Sequence, residues 1–371
     1  MARNSIASAK RIVIKIGSSS LTGSAGSALD PAAVEKIVAI VAAAKSRGAE
    51  VLVVSSGAIA AGLAPLGLST RPKDLATQQA AASVGQGLLI HRYTESFAQH
   101  SITASQVLIT TEDIVRRVHY QNVQRTLFRL LQLGVVPIIN ENDSVGTQEI
   151  RFGDNDRLAA LVALLIDADL LVLVSDIDAL YDAPPSQAGA KAILEVTDFA
   201  DIDAIEIGGA GSAGVGSGGM VTKIEAARIA TGAGISMLLT SLEQAAQSIA
   251  GAELGTYFQG HERKTTSRLL WLAHAATPQG KLILDAGAVK AICERGTSLL
   301  PAGVTAVEGT FIAGDTVELV GPDSKVIARG LVAFDAVELP VMLGRSTKEL
   351  AAALGPEYER ELVHRDDLVL L

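Results

Sequence analysis

The chain has 371 residues, enough for two domains with sizeable cores. Hydrophobic residues make up 49% of it, yet no apolar run reaches the ~18 residues of a membrane-spanning helix, because the strongest, Leu158 to Val174, is broken by Asp167 and Asp169. A formal charge of -9 argues against broad nucleic-acid binding, and a single cysteine, Cys293, rules out an internal disulfide and fits a reducing, cytoplasmic setting.

Near the start, Arg11 to Gly17 reads as a strand ending in glycine, followed by Ser18, Ser19 and Ser20. The apolar run is interrupted by Lys15 and no small-residue cleavage site follows, so it does not read as a signal peptide. A lysine inside such a strand either snorkels from a sheet edge or is aimed at an anion. The Gly-Ser-Ser-Ser turn beside it offers backbone N–H groups and hydroxyls, a common means of holding phosphate. Asp30-Pro31 then opens a helix, with the aspartate as N-cap and proline at the first helical position. Val34, Ile37, Val38 and Val41 recur at helical spacing up to Gly48. Glu50 to Val54 is a second strand, ending in the small-residue turn Ser55-Ser56-Gly57-Ala58. Strand, helix and strand joined by short turns predict a βαβ crossover and a parallel sheet.

Gln78 to Gln99 is Ala-rich and helical, crossed by Gly85 and Gly87, which read first as aids to close helix packing. Ala104 to Ile109 is a further strand, and Gln121 to Leu133 a helix feeding the buried strand Val135 to Ile139. Pro137 leaves that strand's place in the sheet open. Two polar knots follow, Asn140-Glu141-Asn142-Asp143 and Gly153-Asp154-Asn155-Asp156, before an apolar helix from Leu158 to Ile166 with Asn155 or Asp156 as N-cap. Ligands of parallel α/β sheets bind outside the carboxyl ends of the strands. Two acid- and amide-rich knots flanking one strand-to-helix crossing therefore read as a polar small-molecule site rather than as helix-capping loops. Leu170 to Val174 is a buried strand ending in Ser175-Asp176.

Gly208 to Thr222 is the most glycine-rich stretch and leads into Lys223 and a helix from Ile224 to Ala233. Its two overlapping GxGxxG matches are not a dinucleotide fingerprint, since no convincing strand precedes them. It is not a Walker A loop either, since no glycine precedes Lys223. A glycine-rich loop, a helix N-terminus and a lysine still form a phosphate grip, the plainer reading being a surface linker. Ile235 to Thr240 is another strand, and a weakly helical segment leads to Leu254-Gly255-Thr256. After the basic boundary His261 to Arg268 the pattern changes to short strands, Lys281 to Leu284, Thr305 to Phe311, Thr316 to Val320 and Val326 to Ala333, with a helix over Asp285 to Glu294.

Taken together, Lys15-Ile16-Gly17-Ser18, Ser55-Ser56-Gly57-Ala58, the two knots, Ser175-Asp176 and Gly218-Gly219-Met220-Val221-Thr222-Lys223 resemble the amino acid kinase family. So do Gln79 to Gln86, Glu294 to Pro301 and Val363 to Asp367, so the resemblance runs nearly end to end. It implies an α/β fold, a three-layer αβα sandwich around a mainly parallel sheet over 8–262. A linker over 263–279 and a small β-rich PUA-like domain with the tail over 280–371 would follow.

Within the family the motifs are most similar to members that phosphorylate the side-chain carboxylate of L-glutamate at the expense of ATP, giving γ-glutamyl phosphate for proline biosynthesis. The resemblance implies catalytic roles for Lys15, Asp156 and Lys223, the lysines holding the phosphoryl group and Asp156 orienting them. Ser55, Asp143 and Asn155 would bind glutamate. Lys15, Ser175, Asp176, Ser217, Gly218, Gly219, Met220, Val221, Thr222 and Lys223 would bind ATP, and Mg²⁺ would sit mainly on phosphates and water. Proline as feedback inhibitor and a homo-oligomer, dimer or tetramer, are also implied. Ser55 stands where threonine is also common, and the approach over Gly208 to Gly216 is unusually glycine-rich. A sibling kinase acting on acetylglutamate, aspartate or a nucleoside monophosphate is the alternative. RNA binding by the PUA-like part is disfavoured, because 281–371 carries 9 basic against 14 acidic residues.

Overall fold

The computed structural model describes residues 2–22, 28–110, 113–114, 117–145, 155–184, 187, 189–203, 219–261 and 278–371. The segment proposed as a linker therefore falls almost wholly outside the described residues, as do Gly153, Asp154, Ser217 and Gly218. The chain divides into two compact units, the first comprising 1–114 and 119–264, the second 115–118 and 265–371.

The first unit is built on an eight-stranded sheet. Its strands are β1 (Arg11–Ile16), β2 (Glu50–Val54), β3 (Ala104–Ile109), β4 (Val136–Glu141), β5 (Leu170–Ser175), β6 (Glu195–Val196), β7 (Ser236–Ser241) and β8 (Thr256–Phe258). They lie in the order β3-β4-β2-β1-β5-β7-β8-β6. Every neighbouring pair is parallel except β7 with β8. The chain runs outward from β1 through β2, then crosses back to the far side of β1 with β5. β1 thus lies at the reversal of strand order, where open α/β sheets bind their ligands. Its position settles the reading of Lys15: β1 is an inner strand, so the lysine cannot snorkel from an edge.

The main helices of this unit are α1 (Pro31–Ser46), α2 (Ala58–Leu63), α3 (Leu75–Ala98), α4 (Arg117–Gln132), α5 (Asn155–Leu165) and α6 (Met220–Gly232). Strand side chains alternate between the faces. Ile12, Ile14 and Ile16 join Val51, Val53 and Val172 in a core completed by Ile37 and Val38 of α1 and Leu89, Tyr93 and Phe97 of α3. Val13, Lys15, Leu52 and Leu173 take the opposite phase, and Lys15 meets α5 there. Asp30 caps α1 as expected, its carboxylate accepting from the Ala32 N–H at 3.0 Å. Pro137 is accommodated by register: Val136 donates its N–H to Thr103 on the β3 side, so Pro137 faces β2, whose pairing with β4 begins only at Ile138.

The structure corrects the sequence reading at three places. Asn155 and Asp156 do not cap α5; both lie in its first turn, which begins at Asn155. The weakly helical segment before Leu254 is present as a short helix over Ala245–Ile249, but the chain after it forms the unforeseen strand β8, to which the two-residue β6 adds the last rung. Both pieces are too short to carry an alternation pattern. Third, the two glycines of α3 differ in role. Gly62 of α2 and Gly85 of α3 meet backbone to backbone: a Cβ on Gly62 would collide with the carbonyl of Ala81, and one on Gly85 with that of Ala58. Gly87 has open space around it.

The second unit holds α7 (Ala286–Arg295), α8 (Thr347–Leu354) and the strands β9 (Gly280–Leu284), β10 (Val304–Gly309), β11 (Thr316–Val320), β12 (Val326–Leu331) and β13 (Leu368–Leu370), in the order β10-β9-β11-β12-β13. Leu282, Leu284, Phe311, Val317, Leu319 and Leu362 fill its core. The closing strand β13 was not foreseen; it is three residues at the end of a polar tail. No helix among the described residues is long and apolar enough to cross a membrane.

Gly85→Ala should lower stability by about 1–3 kcal/mol through overpacking, whereas Gly87→Ala should raise it by up to about 1 kcal/mol, the helix-propensity gain. Urea denaturation midpoints check this; equal midpoints for the two variants would contradict the crossing.

Candidate active site

The site lies at the carboxyl ends of β1, β2, β4 and β5 and is organised by the first turn of α5. Asp156 is fully buried, and its two oxygens are divided between two lysines. Lys15 Nζ from β1 lies 2.5 Å from Oδ1, and Lys223 Nζ from α6 lies 3.1 Å from Oδ2. Both lysines are themselves buried, at 4% and 7% exposure. Thr222 donates its hydroxyl toward Oδ2 at 3.1 Å and toward the Gly219 carbonyl at 2.8 Å. Burial alone pushes the Asp156 carboxyl up, but the two ammonium groups outweigh it and lower its pKa to about 2. The sign follows from linkage. A depressed carboxyl adds stability that is fully present above its ordinary value of 3.8 and is lost as the pH falls toward 2.

One carboxylate between two ammonium groups leaves local positive charge in a nearly dry place. Such an excess suits an anion with several oxygens, and little reorganisation is needed when it arrives. The Gly17 turn is adjacent: its N–H bonds the Val174 carbonyl at 3.2 Å, and a Cβ there would stand 3.8 Å from Lys15 Nζ. At the end of β5 the Ser175 hydroxyl, nearly buried, donates to Asp176 Oδ1 at 2.9 Å, with Asp176 exposed. Gly219 caps α6, Met220 is half-buried and Val221 is 62% exposed.

Asn155, one residue earlier and so rotated about 100° around the helix, turns to a second cluster. Its Nδ2 donates to the Ser55 carbonyl at 2.7 Å, the Ser56 hydroxyl at 2.8 Å and Asn140 Oδ1 at 3.0 Å. Asn140 in turn donates from Nδ2 to Gln86 Oε1 of α3 at 2.8 Å, while its Oδ1 also accepts the Glu141 N–H at 2.9 Å. The Ser55 hydroxyl is 3.1 Å from that of Tyr93, a fully buried tyrosine whose pKa burial pushes up. Asp143 stands half-buried in the turn that follows β4.

Of the residues singled out in the sequence, Lys15, Asp156, Thr222 and Lys223 make one contact group and Ser55 and Asn155 another, joined through consecutive residues of α5. Ser175, Asp176 and Asp143 lie at strand ends of the same sheet edge. Ser217 and Gly218 lie outside the described residues. Sequence reading quoted Gln86 only as part of a family stretch and gave neither it nor Tyr93 a role in the site. Their signal was present: two polar-tipped residues seven apart, hence on one helix face, within the buried side of an Ala-rich helix. Among the described residues no group of three histidine, cysteine or acidic side chains is gathered for a metal, and both Asp156 oxygens are engaged by lysines.

Comparison with known proteins agrees with this geometry. Residues 10–241 match the amino acid kinase family, and residues 280–354 match the PUA domain. The chain is 61% identical over 371 residues to a glutamate 5-kinase of Streptomyces avermitilis, covering 100% of this chain and 99% of that one. It is 60% identical over 369 residues to a glutamate 5-kinase of Salinispora arenicola, covering 100% of both. A carbamate kinase from Giardia lamblia bound to AMP-PNP superposes with a TM-score of 0.50 at 18% identity, over 69% of this chain and 100% of that one, and shares the fold. The family match over residues 10–241, together with 60–61% identity along the whole chain to two of these relatives, places the chain in the amino acid kinase family, with a C-terminal PUA domain.

Proposed function

We propose that the chain is a glutamate 5-kinase, transferring the γ-phosphoryl group of ATP to the side-chain carboxylate of L-glutamate as the first step of proline biosynthesis. The observation that carries this is the pair of lysines held on one buried aspartate beside a hydrogen-bonded cluster of amides and hydroxyls. Phosphoryl transfer asks for positioning and charge stabilisation more than for covalent chemistry. Lys15 and Lys223 would hold the transferring group from two sides. Asp156 keeps both ammonium groups in place and would not itself react. A glutamate γ-carboxylate, with an ordinary pKa of about 4.3, is already ionised at neutral pH. Its oxygen attacks the γ-phosphorus, one P–O bond forms, the bond to the β,γ-bridging oxygen breaks, and ADP leaves. No proton moves, and no base is called for. None of the 6 histidines lies in the strand-end motifs.

Ser55, Asp143 and Asn155 would receive the amino acid, Asp143 suiting its α-ammonium. Ser175, Asp176 and the stretch from Ser217 to Lys223 would receive ATP. Mg²⁺ arriving on the nucleotide would supply charge neutralisation while held by phosphates and water. Catalytic and C-terminal domains are proposed to span 8–262 and 280–371. Proline as an inhibitor at or overlapping the glutamate pocket, a homo-oligomeric state and a cytoplasmic setting complete the reading.

Hydroxylamine trapping of the acyl phosphate should give hydroxamate with glutamate and none with N-acetylglutamate or aspartate, in the presence of ATP and Mg²⁺. A signal with another acid instead would transfer the function to a sibling kinase. Lys223→Ala should lower kcat by at least a hundredfold, as expected for loss of a charge that acts on the transition state, while the KM for glutamate changes far less. An unchanged kcat would remove Lys223 from its role.

A further inference from the structure

The amide chain Gln86–Asn140–Asn155 has a direction, and the backbone sets it. An amide side chain can be turned over so that its oxygen and nitrogen exchange places, and only its partners fix which end is which. Here two partners are unambiguous. The Ser55 carbonyl can only accept, so the Asn155 atom 2.7 Å from it must be the amide nitrogen. The Glu141 N–H can only donate, so the Asn140 atom 2.9 Å from it must be the oxygen. Asn140 Nδ2 is thereby directed at Gln86, whose facing atom, at 2.8 Å, must be Oε1. The two asparagines then agree with each other, Asn155 Nδ2 donating to Asn140 Oδ1 at 3.0 Å.

This polarity leaves Asn155 with its donor end fully committed and its Oδ1 without a hydrogen-bond partner among the described residues. Asn155 is only half-buried, so that oxygen is open to a ligand. An acceptor at this position suits an ammonium group and disfavours a carboxylate or a second acceptor. Gln86, 8% exposed and rooted in α3, is the far anchor: its Oε1 receives an amide hydrogen that Asn140 would otherwise leave unmet in a buried place. Close approach of α3 at Gly85, the preceding residue, fixes its height above the strand ends.

We propose that Gln86 is a positioning residue that seats Asn140, and through it steadies the Asn155 amide, whose direction the Ser55 carbonyl sets, so that the Asn155 oxygen faces the substrate's α-ammonium and helps select a free amino acid. The proposal rests on the glutamate-kinase reading and adds to it a residue outside the reacting groups. Gln86 touches neither Asp156 nor the lysines, so its effect belongs to acceptor recognition and not to the phosphoryl step.

The test compares the full-length enzyme with Gln86→Met, which keeps length and removes the acceptor, and Gln86→Glu, which keeps an acceptor toward Asn140. Glutamate saturation is measured by hydroxamate formation, and glutarate, which lacks the ammonium group, is titrated as a competitive inhibitor. For Gln86→Met we expect the KM for glutamate to rise about five- to tenfold, the effect of one hydrogen bond. The kcat, the KM for ATP and the inhibition constant of glutarate should stay within about twofold, and Gln86→Glu should recover most of the glutamate KM. An unchanged glutamate KM in Gln86→Met overturns the proposal. So does an equal weakening of glutamate and glutarate, which would mark general loosening, and so does failure of a folded Gln86→Glu to recover. Should Gln86→Met not fold, Gln86→Glu alone still tests the claim, since its glutamate KM must stay near that of the parent. Absence of any glutamate-dependent signal in the parent enzyme would instead remove the underlying function.

Discussion

The structure depends on one buried carboxylate shared by two buried ammonium groups. Taking three charges out of water is costly, and their mutual attraction offsets that cost only while all three are present. Removing the carboxylate would strand two cations; removing either lysine would leave the other with a different balance. The cluster joins three separate pieces of chain, the inner strand β1, the start of α5 and the start of α6. An apolar trio of similar volume would pack there with no desolvation cost, so the cluster is a costly way to hold the fold. Such a cost is the one a preorganised anion site would carry.

From that cluster the place of the amide network follows by helix geometry. Asn155 and Asp156 are consecutive, and the rotation between them sends one side chain to the amide network and the other to the lysines. Whatever sits against Asn155 is thus held at a fixed offset from whatever sits against the ammonium groups. Positioning of this kind can supply much of the rate of a bimolecular transfer. Helix α3 supports the network with two side chains. Its crossing of α2 through Gly62 and Gly85 pins the Ser55-Ser56-Gly57 turn at one end, and Gln86 and Tyr93 carry the contact forward to Asn140 and Ser55.

Much of this was legible in the sequence for identifiable reasons. Buried parallel strands are continuous apolar runs, so β1, β2, β4 and β5 stood out with their polar ends. Lys15 declared itself as a charge inside such a run. What could not be read was contact between distant pieces. Nothing in the spacing of Lys15, Asp156 and Lys223 says that they meet; only the resemblance to a family joined them. Asp156 looked like a helix cap because aspartate before an apolar helix usually is one, and the lysines pulled it inward instead. β6, β8 and β13 are too short for periodicity and exist because a neighbouring strand offered an edge. Gln86 was hidden inside an Ala-rich helix whose polar residues look like solvent-facing ones until the fold places them.

The most direct test of the account is the titration of Asp156 itself, followed by carboxyl-detected NMR on aspartate-labelled protein. The account predicts that this one carboxyl stays ionised down to the lowest pH at which the chain remains folded, consistent with a pKa near 2. A midpoint at or above the ordinary value of 3.8 would mean that the lysines do not hold it, and the organising interaction of the site would be gone.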